Sequence, residues 1–364
     1  MIKDEQYAAR RKEYRRLMRK ESLDGILVTN LPDVRYLCGF SGSSGMVVLL
    51  RERGYFLTDF RYREQSALEV SGLKKVIYDA SPEEGAAGIL RRHTGSRLGF
   101  DPAYLSYAGV LAMRRRLKGD RVSLVPLKGS LTLLRARKSP AELAIIRNNI
   151  GLAEAAFKKA LGDVTGETRE EGLAAAVDIE ARRMGAEGPS FETIVAGGNR
   201  GALVHARPSR RKLRGATVID WGVVRGGYCT DTTRTVSFGK VPPELRKAHR
   251  LVLDAQQRAL EKVGPGVRAR DVDSASRETI DRAGYGAAFG HGLGHGVGME
   301  VHEHPYVGKN SCEVLEEGMV FTAEPGIYLP GIGGVRVEDM VLVTAGGPEL
   351  LNTLPRGLDP ADYL

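Results

Sequence analysis

From Gly290 to Gly298 every second residue is glycine, and a chain cannot hold a stable helix through such a run. The stretch Phe289-Gly-His291-Gly-Leu-Gly-His295-Gly-Val-Gly-Met-Glu-Val-His302-Glu303-His304 is therefore expected to form a loop or an irregular strand. It also carries four of the chain's seven histidines. Glycine lets a backbone approach a ligand closely, and imidazole is the commonest metal ligand near neutral pH. A phosphate-binding loop is the alternative for any glycine-rich segment. No GKS or GKT follows here, and that reading leaves the histidines without a purpose.

A second stretch runs from Thr217 through Asp220, Trp221, Asp231 and Arg234 to Thr235, with β-branched runs on both sides of Arg225-Gly226-Gly227. This pattern predicts a β-hairpin. If Arg225 and Gly226 form the turn, Asp220 faces Asp231 directly. If Gly226 and Gly227 form it, Asp220 faces Thr233 and Asp231 lies on the diagonal of the same face. Opposed like charges destabilise a sheet, so two carboxylates in so apolar a hairpin call for a cation or a shared proton. Two solvated aspartates on an exposed face are the plain alternative.

The third stretch, Gly318 to Asp339, places Glu324 at the end of one apolar strand and Glu338 within another, with a Pro/Gly-rich loop between them. Gly331 is midway between the two glutamates, so they too are expected to face each other. Charges in strands this apolar are costly unless paired or metal-bound. Arg336 shares a strand face with Glu338, which leaves Glu324 without a partner of its own. Four carboxylates and at least one imidazole suit two hard or borderline divalent ions such as Mn²⁺, Co²⁺, Fe²⁺ or Zn²⁺. Two such ions about 3.5–4 Å apart can bridge a hydroxide, polarise a carbonyl and drive hydrolysis.

In that order, Asp220, Asp231, His295, Glu324 and Glu338 resemble the metallopeptidases of the pita-bread fold. That group includes methionine aminopeptidase, Xaa-Pro aminopeptidase and prolidase, with creatinase as a non-metal relative. The resemblance rests on IDWG, YCTDTTRT, HGLGHGVGMEVHE, AEPGIY and GGVRVED, spanning about residues 139–345. Leu37-Cys-Gly-Phe-Ser-Gly-Ser-Ser-Gly45 and Thr58-Asp-Phe-Arg-Tyr62 resemble the N-terminal domain of the Xaa-Pro branch, which methionine aminopeptidases lack.

The resemblance implies that Asp220 binds one metal, that His295 and Glu324 hold the other, and that Asp231 and Glu338 bridge both. Manganese is the expected ion. Glu324 would also shuttle the proton of the attacking water. His302 would stabilise the oxyanion or orient the substrate, and His205 would meet the substrate from upstream. Arg336 would orient Glu338 or its neighbours, and His291 would support a ligand or touch the substrate. His304, His93 and His249 carry no expected role, and Cys229 is read as packing. The substrate would be a peptide with proline second, a residue whose ring fixes φ and whose nitrogen lacks a hydrogen. A homodimer is also implied.

The chain has 364 residues, enough for two domains. The first third alternates short apolar runs, such as Ile26-Leu27-Val28, with helix-like stretches, such as Tyr104 to Leu117, and reads as an α/β domain. Ser139-Pro140-Ala141-Glu142 then opens a helix with a capping box, and Thr168 to Glu171 is expected to open a second in the same way. Later helices are expected over 243–263 and 271–283. The boundary is placed between Leu127 and Lys138. This gives an α/β N-terminal domain over 1–132 and an α+β pita-bread catalytic domain over 133–364.

Three cysteines in so long a chain argue against a disulfide framework and for a reducing compartment. With neither a targeting segment nor a membrane-length apolar run, the chain is expected in the cytoplasm, away from membranes. The net charge of +9, with Arg114 to Arg116 and the run 207–214, keeps a non-catalytic nucleic-acid-binding module in view. No interleaved aromatics mark a base-stacking surface, so no nucleic-acid partner is expected. Between the two proline-directed activities, an aminopeptidase is favoured over a dipeptidase. A dipeptide ends in a carboxylate that asks for a cation, and the stretch from Glu303 to Lys309 offers no arginine.

Overall fold

The computed structural model describes residues 2–93, 95–127 and 131–364. Within these, the chain divides into two compact units, ending and beginning at Arg135 and Ala136. Part of the expected boundary segment, 128–130, lies outside the described residues.

The first unit is a six-stranded mixed sheet with helices. Its strands are β1 (Gly25–Val28), β2 (Met46–Leu50), β3 (Gly54–Thr58), β4 (Lys74–Ile77), β5 (Arg97–Phe100) and β6 (Ser123–Pro126), in the order β4-β3-β2-β1-β5-β6. Helices α1 (Asp4–Lys20), α2 (Leu31–Cys38), α3 (Arg63–Glu69), α4 (Pro82–Leu90) and α5 (Tyr107–Arg116) connect them. The helix expected from Tyr104 starts at Tyr107, because the Ser106 hydroxyl caps it by accepting from the Gly109 N–H. Ala86, Ala87 and Leu90 of α4 and Val110 and Met113 of α5 pack with Leu27, Val48 and Leu98 of the sheet.

The second unit opens with α6 (Pro140–Gly162), whose Ser139–Glu142 capping box forms as the sequence predicts. Next comes α7 (Glu170–Arg183), and here the expected Thr168 cap is absent: Arg169 sits at the cap position and its side chain makes no capping bond. Glu170 turns inward instead, accepting from the Gly197 N–H and from the Ser209 N–H and hydroxyl. After short β7 (Gly188–Pro189), strands β8 (Ile194–Gly197), β9 (Gly215–Trp221) and β12 (Thr232–Phe238) form one antiparallel sheet. Between the last two, β10 (Val223–Arg225) and β11 (Tyr228–Cys229) build the hairpin tip.

A second pair of helices, α8 (Pro243–Leu260) and α9 (Ala269–Arg282), precedes a second antiparallel sheet. That sheet contains β13 (Gly294–Gly296), β14 (Glu303–Val307), β15 (Val320–Ala323), β18 (Asp339–Thr344) and β19 (Gly347–Leu350). Strands β16 (Gly326–Leu329) and β17 (Gly333–Arg336) pair separately.

The helix pairs cover the sheets. Trp221 stacks on Phe157 of α6 with ring centroids 4.1 Å apart, and its indole N–H donates to the Ala153 carbonyl. On α8, Leu245, Ala248, Val252, Ala255 and Ala259 recur at helical spacing and are fully buried. Among the described residues no helix is long and apolar enough to cross a membrane.

Candidate metal centre

Two hairpins carry the four carboxylates. In the first, Gly226 and Gly227 take the turn with φ of 62° and 78°, which only glycine adopts freely at both central positions. The second of the two expected registers therefore forms: Thr233 pairs with Asp220, and Asp231 lies two positions before Thr233. The second hairpin runs unbroken through two sheets. Val320 to Ala323 pair with Leu342 to Asp339, and Gly326 to Leu329 pair with Arg336 to Gly333. The shared register sets Glu324 opposite Glu338. Glu338 is not within a strand as expected, but in the gap where the chain leaves β17 for β18.

His295 comes from β13, an irregular strand with a bulge between His295 and Gly296. Its neighbours must be glycine: a Cβ on Gly294 would lie 1.8 Å from the Thr322 carbonyl oxygen, and one on Gly296 would lie 2.1 Å from that of His304.

These elements bring the ligand atoms of Asp231, His295 and Glu338 within 4.8 Å of one another. Glu324 joins through His295, whose Nε2 lies 3.4 Å from Glu324 Oε1 and 3.6 Å from Asp231 Oδ2. The Thr233 hydroxyl donates to Glu338 Oε2 at 2.7 Å. Asp220 shares the cleft but leans on Arg336, which donates from Nη2 to Asp220 Oδ2 at 2.6 Å. Asp220 Oδ1 is buried with no partner. Arg336 therefore holds Asp220 directly and reaches the Glu338 carboxylate through the Thr233 hydroxyl.

Four buried carboxylates face one arginine, and their titration shows the imbalance. Burial pushes Asp231 well above the ordinary carboxylate range, and the Glu338 and Asp220 charges push it further. Glu338 is raised well above that range by burial and by Glu324 and Asp220. Asp220 is raised by burial in spite of Arg336. Glu324 goes the other way: burial would raise it, but the bond to His295 and that ring's charge bring it down to about 2. His295 is raised despite burial, because Glu324 favours its charged form. An excess of buried negative charge, with one carboxylate oxygen left unpartnered, fits bound cations, and an oxygen-rich set with one imidazole suits divalent ions.

The remaining expected residues line the same cleft, which encloses about 760 Å³. His302 is exposed just before β14, its ring 4.1 Å from that of His295, and burial lowers its pKa. His205 is exposed on the segment after the short 3-10 helix Gly198–Ala202. The His291 pKa is lowered by burial, and its Nε2 lies 3.0 Å from the Tyr328 hydroxyl.

Sequence reasoning missed Tyr328. It lies within the AEPGIY motif and accepts from Arg336 Nη1 at 2.9 Å, linking His291 to Arg336 and so to Asp220. Arg234 was also missed. All five of its N–H donors are used inside the protein, on the carbonyls of Thr233, Glu338, Leu354 and Pro355 and on Asp339 Oδ1. It thereby grips the backbone of Glu338. The histidines without an expected role lie elsewhere: His304 pairs with Glu313 and His249 is buried on α8.

A buried, acidic centre with a histidine donor, open to a cleft of this size, is equipped for metal-assisted hydrolysis. Comparisons with known proteins agree. Residues 144–345 match the model of metallopeptidase family M24, and residues 10–137 match the creatinase/prolidase N-terminal domain. The chain is 34% identical to an Xaa-Pro dipeptidase of Pyrococcus horikoshii, covering 94% of this chain and 96% of that one. It is similar to the solved Xaa-Pro dipeptidase from Bacillus anthracis, at 34% identity, TM-score 0.92, and 97% and 99% coverage. It is also similar to an X-Pro aminopeptidase from Thermotoga maritima, at 33% identity, TM-score 0.84, and 93% and 97% coverage.

Proposed function

Because this chain belongs to metallopeptidase family M24, with a pita-bread catalytic fold behind a creatinase/prolidase N-terminal domain, we propose that it is a two-metal Xaa-Pro dipeptidase. The observation that carries this reading is the convergence of Asp231, His295 and Glu338, with Glu324 and Asp220 beside them, at the floor of one cleft. We assign the catalytic role to the domain over 133–364. Asp220 would hold one ion, His295 and Glu324 the other, and Asp231 and Glu338 both. Mn²⁺ is the first ion to test, with Co²⁺, Fe²⁺ and Zn²⁺ as competitors.

Bound there, such ions would polarise the scissile carbonyl and lower the pKa of the attacking water. The protein's own groups do the rest. Glu324 can take a proton from that water, then return it to the departing proline nitrogen. His302, kept neutral by its lowered pKa, can donate to the developing oxyanion. His205, which lines the same cleft, would contact the substrate. Arg336 holds Asp220, and Tyr328 ties Arg336 to His291.

The dipeptide is the better-supported substrate, since relatives named Xaa-Pro dipeptidase match nearly the whole chain. The ground for preferring longer peptides was the absence of arginine between Glu303 and Lys309, and a cation elsewhere in the cleft removes its force. The aminopeptidase reading keeps one support, the likeness to the Thermotoga maritima enzyme. Ala-Pro and Ala-Pro-Ala offered to the Mn²⁺-loaded protein decide between them. The expected result is hydrolysis of Ala-Pro at least about tenfold more efficiently, and the reverse preference would restore the aminopeptidase.

A further inference from the structure

A dipeptide differs from the start of a longer peptide in one chemical respect: a free carboxylate follows the proline directly. The ions and carboxylates of the floor are engaged with one another, so a dipeptidase needs a further cation to receive that group. Among the described residues lining the cleft, the permanent cations are Arg207 and Arg336. Arg336 is committed, buried against Asp220, Thr233 and Tyr328. Arg207 is not. Its side chain is 84% exposed and meets Glu192, itself 65% exposed, at 3.3 Å. An exposed pair of that kind contributes little to stability, so exchanging Glu192 for another carboxylate costs little.

The backbone beneath Arg207 is, by contrast, anchored. Its carbonyl accepts from Arg200 Nη2, and Arg200 is tied to buried Glu170. Glu170 also takes the N–H and hydroxyl of Ser209. The inward turn of Glu170 thus fixes the root of a side chain whose tip meets the exposed Glu192. Arg210 and Lys212 nearby do not line the cleft and face Glu171 and Glu167.

Resting on the reading of the site as a proline-directed metallopeptidase, we propose that Arg207 is the specificity-determining residue that receives the C-terminal carboxylate of an Xaa-Pro dipeptide, with Glu192 as the group it leaves. A guanidinium suits this task, since it can hold a carboxylate by two parallel hydrogen bonds.

The test compares Ala-Pro with its C-terminal amide, in the Mn²⁺-loaded wild type, Arg207→Gln, Arg207→Lys and Glu192→Gln. The readout is the preference for the acid, taken as the ratio of the two KM values. Arg207→Gln should reduce that preference about ten- to hundredfold, with most of the change in KM for the acid. Arg207→Lys should restore part of it, and Glu192→Gln should strengthen it. An Arg207→Gln protein with unchanged preference, or with equal losses on both substrates, overturns the proposal. If the wild type cleaves the amide and not the acid, the carboxylate role falls while the metallopeptidase reading stands. If it cleaves neither Ala-Pro, its amide nor Ala-Pro-Ala, the functional reading falls first and Arg207's role with it.

Discussion

Asp231 and Glu338 are buried carboxylates raised by that burial and by the charges of neighbouring carboxylates, and such groups persist only where something balances them. On the reading proposed above, each touches both ions. Asp231→Asn and Glu338→Gln should therefore each leave below about 1% of activity and lower the metal content measured by mass spectrometry. Either variant working well with two metals bound would remove it from the ligand set. The two histidines, 4.1 Å apart by ring centroid, separate cleanly by the same measurements. His302→Ala should lower kcat about 10²–10³-fold with metal retained, the loss expected for one oxyanion donor. His295→Ala should lose metal and activity together. The opposite pattern would mean that the two roles are exchanged.

The hairpins explain which parts of the site were legible in the sequence. Pairing in a hairpin is arithmetic about its turn, so the opposition of Glu324 and Glu338 followed from the position of Gly331 alone. The first hairpin left two answers, and the pair of positive φ values at Gly226 and Gly227 selects one. Contacts between separate hairpins have no such rule. Nothing local marks Arg336 for Asp220, 116 positions away, or Arg234 for Asp339, 105 away. The start of α7 was misread for a related reason: Thr168 and Glu171 fit a capping box, but the Thr168 hydroxyl accepts from the Thr165 N–H instead, and the neighbouring Glu170 is held by Gly197, Arg200 and Ser209. Arg234 is the element-scale test. With both side chains of its ion pair inaccessible, Arg234→Lys cannot replace five donors in the plane of a guanidinium. We expect a loss of about 3–5 kcal/mol in urea unfolding, the usual consequence of breaking a buried pair. A loss under about 1 kcal/mol would show that the pair is dispensable.

For the whole molecule, the raised carboxylates link stability to pH. In the metal-free protein Asp231, Glu338 and Asp220 hold protons above the ordinary carboxylate range, where the unfolded chain has released them. Folded protein then binds more protons than unfolded, so their contribution is present at low pH and lost as pH rises beyond about 4. Metal needs the deprotonated groups, so its stabilising effect runs in the opposite sense. The gap in Tm between Mn²⁺-loaded and chelator-treated protein should widen from about pH 5 to about pH 8. A constant or narrowing gap would rule out the carboxylate cluster as the linked site. The cluster also sets an order of events during synthesis. Asp220 and Asp231 leave the ribosome about a hundred residues before Glu324 and Glu338, and a nascent chain carrying the first hairpin alone has nothing to set against it. Pairing over such separations waits for most of the unit to fold. On the two-metal reading, the ions would meet a pocket already assembled, and their choice would depend on what the compartment supplies at that moment.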